Sequence, residues 1–459
     1  MPQGRLVILN PADRRRKVGE APIASPEDVK RAVDAAGGGF ECWSSVPMRE
    51  RGKALSKIAD AFEAEGDALA RSLVDEVGKP LKEARGEVAG SIGVLRYYSA
   101  IEFDGRTVAR EEGENVTFYT HQPLGVAALI LPWNYPLLVM SWKLAPALLA
   151  GNAAIVKPSE YTPLTNLLAT KIVANHLPNG AVQIICGGDS VGEALSSHRK
   201  VAMVSLTGSA ATGPKLLRQA AGRMARVTLE LGGNDPAIVM PDADLSKRFE
   251  SLFWSAFRNA GQVCIAVKRL YVHEKIYDEV VRRFAGRADA LRLGNGMDEA
   301  TDMGPVNNGA QLRKVSRLVS MAQKDGGKTV RGGRRPGGAL AHGLFYDPAI
   351  VTGLGNDASL VQEEQFGPAL PIIPFGKADD AVEMANDCGL ALGASVWSED
   401  RKRALGIAER LDAGVAWVNA HMALDNAAPF GGFKGSGLGR ELGMAGLMEY
   451  SAPKTYIIK

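Results

Sequence analysis

Cys264 closes the run FRNAGQVC, and a cysteine thiolate is a nucleophile able to attack a carbonyl carbon. The thiol must first lose its proton, which a helix N-terminus or a nearby cation promotes by lowering its pKa. Alone between Val263 and Ile265, a cysteine is more often a small buried hydrophobe, so its company decides. Glu230, in LELGGNDP, offers a carboxylate at the end of an expected strand. The glycines after it, Gly232 and Gly233, let the backbone turn sharply and bring that carboxylate up to another segment, as a base activating water requires. Asn134, in PWNYP, follows an apolar strand, and its amide can donate to an oxyanion while Pro132 and Pro136 hold the turn rigid.

No G-x-G-x-x-G follows a strand. Gly353 to Ala358 has the looser G-x-G-x-x-A form, but no helix is expected after it. A better phosphate candidate is GSAATG, Gly208 to Gly213, between a strand and a helix whose N-terminal dipole favours a pyrophosphate. Lys157 and Glu160, in KPSE, stand at the end of another strand, where they could hydrogen-bond ribose hydroxyls.

The elements that must carry these residues alternate short apolar runs with amphipathic ones, which predicts an α/β fold with a mostly parallel sheet. Strands are expected at Val126 to Leu131, Ala153 to Val156, Val182 to Ile185, Val201 to Leu206 and Val227 to Leu231. Helices are expected from Pro136 to Gly151-Asn152, from an N-cap at Thr162 to His176, and over Pro214 to Ala221. Upstream, Pro26 to Ala36 and Arg49 to Val77 have helical periodicity, with Gly37-Gly38-Gly39 as a break between them. Downstream come helices near Leu245 to Asn259 and Tyr277 to Leu291, a strand at Leu270 to His273, and a surface excursion from Asp325 to Ala341.

With 459 residues, 46% of them hydrophobic and 23% charged, the chain can bury the cores of two or three domains. A net charge of +3, and a basic run (Arg14 to Lys17) without interleaved aromatics, give no nucleic-acid footprint. Four scattered cysteines without a C-x-x-C pair argue against a disulfide framework and a structural metal, and fit a reducing cytoplasm. The N-terminus has neither a signal peptide nor a membrane anchor, and Pro123 to Met140 holds too many prolines to span a bilayer.

Taken together, PWNYP, KPSE, LTGS followed by Gly213, LELGG, GQVC, EEQFGP and PFGGFKGSGLGRE resemble the aldehyde dehydrogenase superfamily over nearly the whole chain. The resemblance implies that Cys264 attacks an aldehyde, that Asn134 and the Cys264 N–H hold the oxyanion, and that Glu230 activates the water that hydrolyses the acyl-enzyme. Lys143 and Glu441 match positions that relay a proton outward, or form a structural ion pair. Trp133, Lys157, Ser159, Glu160, Gly208, Ser209, Gly213, Leu231, Gly232, Glu364 and Phe366 carry over to cofactor binding. NAD is favoured over NADP, because a carboxylate at Glu160 beside the ribose 2′-oxygen repels a phosphate.

The same resemblance implies a Rossmann-like NAD-binding domain (1–101 and 121–232), an α/β catalytic domain (233–430) and a small β oligomerisation element (102–120 and 445–459). That element would join a strand pair near Glu102 to Thr120 with the terminal strand Thr455 to Lys459 in a homodimer or homotetramer. The chain is short at its start, so an opening hairpin is expected to be missing. Asn234-Asp235, where many relatives carry Lys-Ser, is expected to be a loop variation away from the reacting atoms. The substrate funnel matches Tyr135, Val139, Trp142, Arg258, Val263, Ile265 and Leu424. Arg258 resembles the arginine of succinate semialdehyde dehydrogenases, but their second arginine is here Trp142. PWNYP and VSLTGS resemble aminoaldehyde and betaine-aldehyde relatives, with Asp425 available to an amine, while the apolar surroundings suit an aromatic or medium-chain aldehyde. An acylating, coenzyme-A-dependent enzyme is disfavoured by Glu230, and a thiol hydrolase without redox chemistry would leave Lys157, Glu160 and Glu364 without a role.

Overall fold

The computed structural model describes residues 4–102 and 105–459. The first three residues of the N-terminal run, and residues 103 and 104 of the expected strand pair, lie outside the described residues.

Two parallel sheets dominate. In the first, the strands run Gly437–Leu438, Arg226–Glu230, Val201–Thr207, Val126–Ile130, Ala153–Lys157, Val182–Ile184 across the sheet, all parallel except the two-residue edge strand. Sequences such as VAALI and AAIVK are apolar at nearly every position because helices cover both faces. The chain starts this sheet in the middle at Val126–Ile130, builds outward in one direction, then crosses back to add Val201–Thr207 on the other side. Such a reversal opens a crevice beyond the carboxyl ends of the two central strands. The residues that follow them are Asn134 and the Gly208–Ser209 loop.

In the second sheet the order is Lys328–Arg331, Ala349–Thr352, Ala369–Phe375, Val267–His273, Asp235–Val239, Gly393–Trp397, Val415–Val418, with only the first pair antiparallel. Residues 231–234 are all that link Arg226–Glu230 of one sheet to Asp235–Val239 of the other. A third, antiparallel sheet pairs Ser451–Ile458 with Asn115–Pro123 and Arg106–Glu112, with Tyr456 stacked on Phe118 at 4.9 Å between ring centroids. Val108, Ile457 and Ile458 of this sheet are exposed.

Several local expectations are corrected. An opening hairpin is present, Arg5–Leu9 paired with Lys17–Pro22, and the basic run forms its exposed turn, where the Asn10 side chain accepts from the Ala12 N–H (2.8 Å). The three glycines do not break a helix. Pro26–Ser44 is continuous through them, and a Cβ on Gly39 would lie 2.1 Å from the backbone of Gly180, so the residue is a packing notch. The long periodic stretch instead divides at Glu65 into Met48–Ala64 and Gly66–Val77, and a further helix, Leu81–Ser99, follows. Thr162 does not cap its helix. Leu164–Ala174 begins after Pro163, and its first amides, Leu164 and Thr165, donate to the buried Glu76 carboxylate at 2.7 and 2.9 Å. Part of the expected surface excursion pairs as the edge strand Lys328–Arg331, and a single helical turn, Ser359–Gln362, follows the G-x-G-x-x-A segment. All four cysteines are free thiols, and no helix among the described residues is long and apolar enough to cross a membrane.

Candidate active site

A cavity of about 780 Å³ opens at the carboxyl ends of the first sheet's strands and runs continuously between the two sheets. Cys264, Glu230 and Asn134 all line it. Lys157, Ser159, Glu160, Gly208, Ser209, Leu231, Gly232, Trp133, Glu364 and Phe366 line it as well, and so do Tyr135, Val139, Trp142, Arg258, Val263, Ile265 and Leu424. Gly213, Lys143 and Glu441 do not. Gly213 opens the helix behind Ser209 and Thr212, where a Cβ would meet the Leu231 side chain at 2.5 Å. Asp425 is also outside the lining and accepts from the Ala427 N–H.

How Cys264 reaches this place is a matter of backbone. The helix Leu245–Phe257 stops two residues earlier than its periodicity suggests, and Asn259, Ala260 and Gly261 all adopt left-handed φ values of 50°, 54° and 72°. For the two non-glycine residues this costs on the order of 1–3 kcal/mol each. Three hydrogen bonds hold the reversal: Asn259 N–H to Glu83 Oε2 (2.9 Å), Asn259 Nδ2 to the Asn134 carbonyl (3.2 Å) and Gln262 Nε2 to the Asn259 carbonyl (2.8 Å). At Gly261 a Cβ would lie 2.4 Å from the Gly367 carbonyl oxygen, so only glycine fits.

Burial pushes the Cys264 thiol well above its ordinary range, and the neighbouring Glu230 charge adds to this, while Lys268 opposes it. Desolvation of the thiolate thus outweighs the pull of the Lys268 cation, so the raised thiol needs a base to take its proton. Glu230 is itself pushed up to about 8 by burial, with Lys143 and the Cys264 thiol favouring its charged form. A carboxyl held there is a far stronger base than an ordinary glutamate. Glu230 Oε1 has no hydrogen-bond partner among the described residues.

Asn134 is buried, and its Nδ2 donates to the Gln262 carbonyl at 2.9 Å. Because a carbonyl only accepts, that bond fixes which end of the amide faces Gln262 and leaves the second Nδ2 hydrogen for another acceptor. Behind Glu230, Lys143 Nζ donates to Glu441 Oε1 (2.5 Å) and Ser205 Oγ (2.9 Å), all three side chains being buried.

At the other end of the cavity, burial weakens the charged form of Lys157. The Trp133 and Phe366 rings meet edge-on at 5.3 Å. Glu364 Oε1 accepts from the Gly233 N–H (3.0 Å) and lies 3.6 Å from Lys268 Nζ, and a Cβ on Gly232 would come within 2.2 Å of Glu364 Oε2. Hydroxyls, a cation and a carboxylate at the strand ends, small residues before the helix Gly213–Ala221, and two aromatic rings together form a donor set that fits a dinucleotide.

Several residues were missed from sequence. Lys268, a fully buried cation, donates to the Cys264 carbonyl (2.6 Å) and the Val263 carbonyl (2.8 Å), and its only signal was a charge inside the apolar run IAVKRLYV. Lys314 and Gln311 line the cavity beside Glu364. Asp235 is corrected outright: it is fully buried and its charge is among those that raise the Cys264 thiol. Burial pushes its carboxyl up to about 8. The His421 ring beside it, with Nε2 3.7 Å from Asp235 Oδ2, is driven down to about 3 by burial. The neutral ring therefore donates its Nε2–H to the Ile265 carbonyl at 2.8 Å, next to the nucleophile.

Comparison with known proteins agrees with this geometry. The sequence profile of the aldehyde dehydrogenase family matches residues 2–456. The chain is 37% identical to betaine aldehyde dehydrogenase of Bacillus subtilis (strain 168), over 97% of this chain and 92% of that protein. It is 39% identical to aldehyde dehydrogenase 1A1 of Rattus norvegicus, over 98% and 91%. A crystal structure of betaine aldehyde dehydrogenase from Staphylococcus aureus in complex with NAD+ superimposes with a TM-score of 0.96 at 34% identity, covering 99% of this chain and 92% of that one. The chain belongs to the aldehyde dehydrogenase family.

Proposed function

We propose that this protein oxidises an aldehyde to its carboxylic acid with NAD, through a thioester on Cys264. One observation carries the proposal: a nucleophile, a base near pH 8 and an amide donor share a single cavity with a dinucleotide-type donor set on one side and a mostly apolar funnel on the other.

Cys264 Sγ bonds to the aldehyde carbon as its proton passes to Glu230, and the oxygen that becomes an oxyanion is held by Asn134 Nδ2 and the Cys264 N–H. A bound nicotinamide coenzyme supplies the acceptor for the hydride that leaves this carbon. Glu230, once deprotonated, takes a proton from water as the water oxygen attacks the thioester; the C–S bond then breaks, and that proton passes from Glu230 to the departing Cys264 sulfur as the acid is released. The Lys143–Glu441 pair behind Glu230 serves to pass the proton outward. Lys157, Ser159 and Glu160 would hold the adenosine ribose, Gly208 and Ser209 the pyrophosphate with Leu231 and Gly232 beside it, and Glu364, Phe366 and Trp133 the nicotinamide ribose and ring. Tyr135, Val139, Trp142, Arg258, Val263, Ile265 and Leu424 would receive the aldehyde. Residues 1–101 and 121–232 form the cofactor domain in this assignment, and 233–430 the catalytic one.

The test is NADH formation with a panel of aromatic, aliphatic, amino- and carboxy-aldehydes, with and without coenzyme A. Turnover that does not need coenzyme A is expected, whereas ester cleavage with no NAD reduction for any aldehyde would point to a thiol hydrolase. Glu160→Gln is expected to raise the NADP-to-NAD ratio of kcat/KM on the order of tenfold, because it removes the charge facing a 2′-phosphate. An unchanged ratio would count against Glu160 as the ribose residue.

The three-stranded sheet, built from 106–123 and the terminal strand, exposes Val108, Ile457 and Ile458 at its edges and is assigned to contact with further copies of the chain. Light scattering after size exclusion should give the mass of a dimer or tetramer, and a stable monomer would refute the assignment.

A further inference from the structure

Two charged side chains, Lys79 and Glu87, are wholly buried behind the Asn134 turn, with Lys79 Nζ 2.5 Å from Glu87 Oε2. A buried ion pair is a poor source of stability, since taking both charges out of water offsets most of their attraction. What these two touch besides each other is therefore informative. Lys79 Nζ donates to the Asn134 carbonyl at 2.8 Å and sits 3.6 Å above the centre of the Tyr135 ring. Glu87 Oε1 accepts from the Leu137 N–H (3.0 Å) and the Leu138 N–H (3.3 Å). Every one of these contacts falls on the five residues from Asn134 to Leu138.

The sequence gives this turn no means of its own to hold itself. The helix Pro136–Leu149 starts with Tyr135 in the cap position and has no side-chain cap. Its first amides face an apolar interior, where an unpaired N–H costs on the order of 1–3 kcal/mol. A carboxylate from the helix Leu81–Ser99 meets them, and that buried charge then calls for a counter-ion, Lys79, which follows the left-handed turn at Gly78. The cation also grips the Asn134 backbone, while Gln262 fixes the Asn134 amide from the other side.

We propose that Lys79 and Glu87 are positioning residues that hold the 134–138 turn so that the free Nδ2 hydrogen of Asn134 meets the developing oxyanion. The proposal rests on Asn134 as the oxyanion donor and adds what sets its place. Glu87 borders the cavity and Lys79 does not, and the side-chain hydrogen bonds of both go to each other and to the 134–138 turn rather than to Cys264 or Glu230.

The experiment is a cycle on the full-length enzyme between Asn134→Ala and the charge-free pair Lys79→Met with Glu87→Gln. The Gln side-chain oxygen still accepts from the helix amides, so the contact chiefly lost is the grip on Asn134. In the wild-type background kcat is expected to fall by roughly 10–100-fold with aldehyde KM within about twofold. In the Asn134→Ala background the same pair should change kcat by less than about threefold. An unchanged kcat in the first background, or equal falls in both, overturns the positioning role while leaving Asn134 as donor. An Asn134→Ala enzyme with full kcat removes the oxyanion assignment itself and the positioning role with it. Should the neutral pair not fold, Glu87→Asp keeps both charges, draws Lys79 away from the Asn134 carbonyl, and is read against the same two backgrounds with the same expected pattern.

Discussion

Cys264→Ala is expected to lower aldehyde-dependent NADH formation by roughly 10⁴-fold or more, since Cys264 is the one thiol among the described residues that line the cavity. Losing one sulfur from a half-buried position that faces a cavity should leave the fold intact, so the thermal midpoint is expected to stay within a few degrees of the parent. Those two measurements together separate lost chemistry from lost structure. A Cys264→Ala enzyme that still turned over aldehyde at the parent rate would remove the thioester route. Coenzyme binding, followed by quenching of the Trp133 environment or by calorimetry, should persist, because Lys157, Glu160, Glu364 and Phe366 remain in place.

The second large effect is expected of Glu230→Gln. Attack by the thiol can still occur at high pH, but water lacks its base, so the acyl-enzyme accumulates. The signature is a pre-steady-state burst of about one NADH per site followed by a steady rate lowered by roughly 10²–10⁴-fold. The pH profile tests the same assignment. The Glu230 carboxyl stands at about 8, raised chiefly by burial, and only its deprotonated form is a base. Deacylation in the parent enzyme should therefore rise with pH up to and through about 8, and be depressed at lower pH where the carboxyl is protonated. In Glu230→Gln that rise should vanish. A variant that kept both the parent steady-state rate and the parent pH limb would show that another group activates the water.

The elements nearest the chemistry were readable in the sequence because each signal was local. Val126 to Leu131 is an unbroken apolar run between turn residues, and Val201 to Leu206 is interrupted only by Ser205, the pattern expected of parallel strands covered on both faces. Cys264, Glu230 and Asn134 each occupy a short motif whose neighbours announce a turn. The residues that were not readable act at a distance in sequence. Lys79 reaches Asn134 across 55 positions, and Glu76 caps a helix 88 positions away. No periodicity records such a pairing, and a charged residue on an amphipathic helix is ordinarily assigned to solvent. The glycine run at 37–39 misled for a related reason: glycine's usual cost in a helix is outweighed by the close approach it allows to Gly180, which only the packed structure reveals. Asp235 was misjudged because a polar dipeptide after two glycines reads as a loop, whereas it opens an interior strand of the second sheet.

The four residues at 231–234 that cross from one sheet to the other have a consequence for how this enzyme can vary. Glu230 ends the strand on one side, while Cys264 is anchored on the other through Lys268 and the Ile265 carbonyl. The crossing has no slack, because a Cβ at Gly233 would lie 2.7 Å from the Cys264 carbonyl oxygen and one at Gly232 would strike Glu364. It works as a ruler, and the interval between base and thiol is set by a count of peptide units. An extended residue adds roughly 3.3 Å. Substrate funnels and coenzyme loops can therefore diversify freely around this segment, but its length cannot change by even one residue without pulling the base away from the sulfur it serves.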